Sequence, residues 1–280
     1  MGIYNPNPQQ EQQTSTQPRK VNVFIGYDER QDLAYRVCKH SIENHLWQSD
    51  NPVKIYPLKH RELRKIGLFN REWKMDRNGL VIDALDGRPF STNFAFTRFL
   101  VPTYAEYLGI LPDEPCVFVD SDFVFTRSIF DIFTEIKYTD KPLWVVKHNY
   151  LSPYMVKMDG QHQENYNMKL WSSLMVFNRL APSEHLPTVK QVNEETGNWL
   201  HTFKWLPDDK RNYLLGSLFE GWNFIPNHSD ARVMYNHIRA VHYTEGVPLL
   251  KPDCKYAELF NDNLSNFLRI ASRDPIKAFS

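Results

Sequence analysis

"CVFVDSDFVF", residues 116–125, sets two carboxylates inside an apolar run. Cys116, Val117, Phe118 and Val119 make the continuous apolar block of a strand buried on both faces. Asp120 and Asp122 follow, one residue apart, and Phe123, Val124 and Phe125 resume the apolar pattern. Taking an ionised carboxylate out of water is costly unless a partner compensates it. Two neighbouring carboxylates also repel each other. One Asp after a strand is ordinarily a turn residue or a helix cap. Two of them directly after a buried block call for positive charge. Mg²⁺ and Mn²⁺ supply it, as hard cations that take carboxylates together with phosphate oxygens.

Bulk properties narrow the classes. The 280 residues contain 33 Lys+Arg and 33 Asp+Glu, a formal net charge of zero. Overall charge therefore gives no reason to expect nucleic acid or an anionic membrane as partner. Hydrophobic residues at 42% and charged residues at 24% fit a soluble globular chain with a sizeable core. Cys38, Cys116 and Cys254 form no CxxC pair, which argues against a zinc ribbon or thioredoxin-type site and fits a reducing compartment. No apolar run reaches the about 18 residues of a membrane span. The start lacks a signal-peptide core, and Pro6 stands where a myristoylation signal needs Ser or Thr. The expectation is a cytoplasmic protein.

Along the chain, residues 1–20 are rich in Gln, Asn, Pro and Thr and read as a disordered tail. Order is expected from Val21, with a strand ending at Gly26. "LAYRVCKHSIENHL" spaces Leu33, Val37, Ile42 and Leu46 as a helix does, "PVKIYPL" reads as a second strand and "RELRKI" as a short helix. Strand, helix and strand open an α/β domain with parallel strands, whose ligands bind beyond the carboxyl ends of the strands. Asp28 falls just past the first strand, as Asp120 and Asp122 fall past a later one. "STNFAFTRFLVPTYAEYL" reads as helical, with a break or a second helix starting at Pro102. "PLWVV", "SSLMVF" and "WNFIP" are further strand candidates, and "YAELFNDNLSNFL" a helix in the last segment.

The acidic stretch fits two enzyme patterns, the DxD of nucleotide-sugar glycosyltransferases and the hhhhDxDx[TV] of haloacid-dehalogenase phosphatases. The second belongs on the first strand and needs a later GDxxxD-like pair, which this chain lacks. A sugar nucleotidyltransferase would show a Gly-rich phosphate loop, but "GYDERQD" has one glycine. A sugar- or nucleotide-binding module is the non-enzyme alternative.

In order, "VFIGYDER", "FAFTRFLVP", "VFVDSDFVF" with "SIFDIF", and "VHYTEGVPLLKP" resemble the landmarks of the GT-A glycosyltransferases of the glycogenin and lipopolysaccharide-galactosyltransferase kind. "KMDGQHQENYNMKLWSSLMVFN", "LHTFKWLPDD" and "GWNFIP" look like a less-studied bacterial and phage branch. The resemblance covers residues 21–255, expected to be one GT-A domain with a mixed, mostly parallel sheet, followed by a helical tail over 256–280. It implies a sugar moved from a nucleotide-sugar, of the UDP type, to a hydroxyl on a glycan, lipid-linked or other acceptor, with retention of configuration. Asp120, Asp122 and His242 would hold Mn²⁺ or Mg²⁺, imidazole favouring Mn²⁺, or Asp120 would partly contact the donor ribose. Tyr27 and Asp28 would line the base and ribose pocket, and Ser121 would also meet the donor. Gly246 and Lys251 would approach the phosphates, and Arg98 the diphosphate or sugar.

Two departures stand out. The family spacing H-x-x-G-x-x-K is stretched, with Gly246 and Lys251 further from His242, and Trp171-Ser172-Ser173 replaces Asn-Ser-Gly. Plain readings stand beside these roles. Arg98 can pair with a surface carboxylate, His242 can be a hydrogen-bonded core histidine, and Lys147 and His148 can face the cleft or solvent. Asp208 and Asp209 can bind sugar hydroxyls as catalytic-site residues or cap a helix. Trp171 and Trp205 are the expected cleft aromatics and Trp222 a core one.

Overall fold

The computed structural model describes residues 20–46, 52–75, 77, 81–89, 92–149 and 168–274. All but Lys20 of the expected tail at 1–20, all of 150–167 and the last residues, 275–280, lie outside the described residues. The strands are β1 (Val21–Gly26), β2 (Val53–Leu58), β3 (Trp73–Met75), β4 (Val81–Asp83), β5 (Cys116–Val119), β6 (Phe123–Phe125), β7 (Leu143–Val146), β8 (Leu174–Phe177), β9 (Leu215–Leu218) and β10 (Ala240–His242). Helix α1 spans Asp32–Glu43, α2 His60–Lys65 and α3 Val101–Tyr107. Pro102 sits in the first turn of α3, after a 3₁₀ turn over Thr97–Leu100. Its missing N–H is harmless there, and of the two outcomes expected at Pro102 the structure shows the second, a helix start.

Among the described residues, six strands form one sheet in the order β2-β1-β5-β8-β7-β9. Only β8 runs against its neighbours. The carboxyl ends of β1, β5, β7 and β9 therefore share one edge. This is a mixed, mostly parallel α/β architecture of the GT-A type. Strand alternation divides the core. Phe24, Phe118 and Phe177 join Phe99 and Leu100 on one face. Ile25, Val117, Val119 and Val176 pack with Ile42 of α1 and Phe133 on the other. With both faces covered, the central strands read as continuous apolar runs rather than alternating ones.

Beyond Asp122 the chain turns into β6, which pairs antiparallel with β10 so that Phe123 lies opposite His242. A third cluster, with Phe224, Val241, Tyr243 and Phe260, backs this ribbon. The helix Ala257–Arg273 contributes Phe260 and buries Phe267 as well.

"WNFIP" is not a strand. Glu220–Asn223 is a 3₁₀ turn, and Phe224 makes only an isolated bridge with Val241 before Pro226 removes a donor. The segment "LGSL" of β9, by contrast, carries little apolar pattern yet pairs along the whole of β7.

Gly26 ends β1 beneath the Phe94 ring, where an added Cβ would lie 2.5 Å from two ring carbons. The same Phe94 carbonyl and ring hold Arg98. Gly26→Ala is expected to destabilise the fold by about 1–3 kcal/mol through overpacking. Urea unfolding measures it, and an unchanged midpoint would contradict the packing described.

Candidate active site

Strand β5 delivers Asp120 and Asp122 to the sheet edge, and each meets a different basic group. Arg98 Nη1 lies 3.0 Å from Asp120 Oδ1. The Arg98 side chain is buried: its Nε donates to the Phe94 carbonyl, its Nη1 also to the Ser172 carbonyl, and its plane lies over the Phe94 and Phe118 rings. Its carboxylate partner is thus half of the DxD pair and not a surface group. The 3₁₀ turn before Pro102 aims it there.

His242 Nε2 lies 3.3 Å from Asp122 Oδ1. The β6–β10 register sets this contact, and the Tyr243 N–H donating to the Asp122 carbonyl at 3.0 Å secures it. Phe123 stacks on the imidazole at 4.3 Å. His242 Nδ1 faces Asn223 Oδ1 at 2.8 Å. The amide orientation follows from its other end, where Nδ2 donates to the Leu170 carbonyl and to Ser173 Oγ. The assigned network therefore makes Nδ1 the protonated nitrogen and turns the Nε2 lone pair toward Asp122. Two acceptors at that separation need a cation or a proton between them.

The donor chemistry fits a divalent ion. Asp120, Asp122 and His242 each offer one ligand atom, all within 4.8 Å of one another. Ligands at right angles around a small divalent ion at about 2.0–2.1 Å stand about 3 Å apart, close to the Asp122–His242 spacing. Asn223 supports His242 as metal-ligating histidines are generally supported, through the second ring nitrogen.

A cavity opens beside Asp122, lined among others by Arg30, Gln31, Tyr243, Thr244, Glu245 and Gly246. Gly246 is at φ 127°, a conformation that L side chains avoid, and its N–H closes a turn on the Tyr243 carbonyl. Lys251 lies near it, with Nζ 3.0 Å from Glu245 Oε2. Ser121 donates to Gln31 Oε1 at 2.8 Å, so it acts on the cavity through Gln31.

Asp28 does not offer a free carboxylate. One oxygen accepts from the backbone N–H and Nε of Arg30, the other from Arg30 Nη2 and the Asn93 N–H. Burial would raise its pKa, but these bonds outweigh burial and hold it below the usual range. Asp28 therefore orients Arg30, the cavity residue the sequence reading missed. The signal was present in "YDER", where an Asp two residues before an Arg can cap and clamp it.

Tyr27 lines a different cavity, between α1, β2 and the C-terminal helix, and donates to Asp32. Asp208 and Asp209 are not brought to the acidic pair. Both are exposed in the turn before the helix Arg211–Leu214; the N-cap of that helix is Lys210 with no side-chain cap bond, so neither aspartate caps it, and Asp208 instead ion-pairs with the Arg211 side chain. Trp205 is a correction: it is buried in the core against Phe99 and Phe203. Trp171 is half-buried and donates to the His148 carbonyl, while Trp222 is fully buried as expected. Lys147 Nζ donates to the Leu215 carbonyl, and the His148 ring is buried. Ser172 and Ser173, at the family's Asn-Ser-Gly position, hold Arg98 and Asn223.

No family model matches the chain. Galactosyltransferase LgtC, solved with donor and acceptor sugar analogs, superimposes with a TM-score of 0.50 at 13% identity, over 88% of this chain and 96% of that one. The bifunctional glycosyltransferase WbbM gives a TM-score of 0.49 at 14% identity over 95% of this chain, which spans about half of WbbM (51%). The fold is that of GT-A glycosyltransferases. In sequence, Protein CDI of Arabidopsis thaliana is 34% identical over 259 residues, 90% of this chain and 89% of that protein. The chain belongs to the Protein CDI family.

Beneath Arg98, His201 Nδ1 lies 2.8 Å from Ser172 Oγ. Burial, then the nearby Arg98 charge, pushes its pKa down to about 3. The unfolded chain protonates this histidine near pH 6.5 and the folded chain only near 3. Stability therefore falls as pH drops through that window, by up to about 1.4 kcal/mol per pH unit for one group. His201→Gln is expected to flatten the decline of Tm between pH 7 and 5. An equally steep decline in the variant would contradict the assignment.

Proposed function

We propose that this chain transfers a sugar from a nucleotide-sugar, of the UDP type, to an acceptor hydroxyl. One observation carries the reading: the β6–β10 pairing brings His242 to the DxD carboxylates at the carboxyl edge of a GT-A sheet, beside a cavity edged by Arg30 and Gly246. Asp120, Asp122 and His242 would hold Mn²⁺, or Mg²⁺. A bound divalent ion supplies charge that stabilises a departing diphosphate.

The chain's own residues do the positioning. Arg98 fixes the Asp120 carboxylate and offsets part of its charge. Asn223 keeps the Nε2 lone pair of His242 aimed inward. Asp28 holds the Arg30 guanidinium at the cavity, where a planar fork suits phosphate oxygens. Gly246 lets backbone approach the phosphates, with Lys251 adding charge beside it. Tyr27, Asp208 and Asp209 have no assigned part in this geometry. Retention of configuration is carried over from the resemblance. The phosphatase alternative would need Asp120 as a nucleophile, yet that carboxylate is engaged by a buried arginine.

Hydrolysis of a nucleotide-sugar panel, with and without Mn²⁺, tests the reading. UDP-sugar turnover is expected only with metal, and Asp122→Ala is expected to lower it by at least about 100-fold, a loss of at least about 2.7 kcal/mol of leaving-group stabilisation. Metal-independent turnover, or full activity in the variant, would refute the proposal.

Asn223→Ala removes the acceptor for His242 Nδ1 and should weaken Mn²⁺ binding by about 10–100-fold. Titration calorimetry reads this directly. Unchanged affinity would mean that His242 is not a ligand.

A further inference from the structure

The same sheet edge carries a second group of ligating side chains that the reading above does not use. His148 follows β7, Glu220 opens the turn after β9, and His228 lies in the loop beyond it. One ligand atom from each comes within 4.8 Å of the other two. The His148 side chain is wholly buried, with Nδ1 3.8 Å from Glu220 Oε1. Neither of its ring nitrogens completes a hydrogen bond, although the Asn223 carbonyl is near enough to act on the ring. A neutral imidazole has one N–H and one lone pair, and buried polar atoms are normally satisfied. His148 thus brings to the cluster a buried ring with no completed hydrogen bond and a nitrogen within reach of Glu220 and His228.

The remaining geometry holds the cluster in place. The Trp171 indole N–H donates to the His148 carbonyl at 2.7 Å. The His228 ring stands 5.9 Å from that of His148, steeply inclined to it. Ser229 Oγ donates to Glu220 Oε1 at 2.8 Å, and Arg232 donates to both carboxylate oxygens, from Nε and Nη2. These bonds orient the carboxylate as the outer hydrogen bonds of metal-bound carboxylates do.

We propose that His148, Glu220 and His228 form a second cation site, for a divalent ion of the zinc type. Two imidazoles and one carboxylate are a donor set of Zn²⁺, and they leave one coordination position open to water or a substrate oxygen. The set is richer in nitrogen than the Asp120–Asp122–His242 group, which sets it against Mg²⁺. The Arg232 charge beside Glu220 works the same way, because the imidazoles then carry more of the binding. The two groups share one segment: Glu220 is a ligand in one, and Asn223, a turn later, supports His242 in the other. The inference does not rest on the glycosyltransferase reading.

Zn²⁺ binding to the full chain, by equilibrium dialysis with elemental analysis, tests it. Asp122→Ala disables the first site and isolates the second. Asp122→Ala is expected to retain one Zn²⁺ per chain at micromolar free ion, and Asp122→Ala with His228→Ala none. His228 is half-buried, so its removal spares the core; metal-free melting checks that both variants fold alike. Glu220→Gln in the Asp122→Ala chain is the second variant, with an expected loss of at least about tenfold in affinity. Substituted Co²⁺ should give a visible ligand-field band in Asp122→Ala that disappears with His228→Ala. Zinc retained with unchanged affinity after His228→Ala, or no zinc bound by Asp122→Ala, would overturn the proposal.

Discussion

Two carboxylates at the end of a buried strand cannot stand without compensation, and much of the structure around them supplies it. Asp120 is met by Arg98, itself buried and held by two backbone carbonyls. Asp122 is met by His242, which reaches it only because β10 returns to pair with β6. Remove either partner and a charge is left in a poor solvent, the costly half of any buried ion pair. The helix start at Pro102, the bridge between Phe224 and Val241 and the two serines after Trp171 all act on this one electrostatic requirement.

The arrangement also separates charge by function. Arg98 neutralises part of Asp120 from below, while Arg30, clamped by Asp28, presents positive charge at the cavity. A basic group beneath the acids and another beyond them frame a place where a cation and a diphosphate can sit together. Asn223 and Ser173 connect the opposite wall of the site to the sheet edge, so that His242 is fixed in direction as well as position.

Much of this was legible in the chain. The strands at 21–26 and 116–119 announced themselves through unbroken apolar runs, and the helix break at Pro102 through its missing donor. His242 was named from a resemblance, since nothing local to "AVHYT" says that it will face Asp122. That contact depends on antiparallel pairing between segments more than a hundred residues apart, which periodicity does not encode. Trp205 misled because an indole that stacks on sugars and one that fills a core look alike in sequence. Asp28 was read as a ligand contact, whereas its four acceptor positions are taken by Arg30 and Asn93. The His148–Glu220–His228 group was illegible because its members come from two distant connections, one after β7 and one after β9, with no shared motif.

The central claim is that Asp120, Asp122 and His242 are one cation site. A crystal of the chain grown or soaked with Mn²⁺, measured for anomalous scattering, tests it most directly. The account predicts an anomalous peak bonded to both carboxylates and to His242 Nε2, with Asn223 Oδ1 still on Nδ1. No peak there at millimolar Mn²⁺, or a His242 ring turned away from the ion, would contradict it.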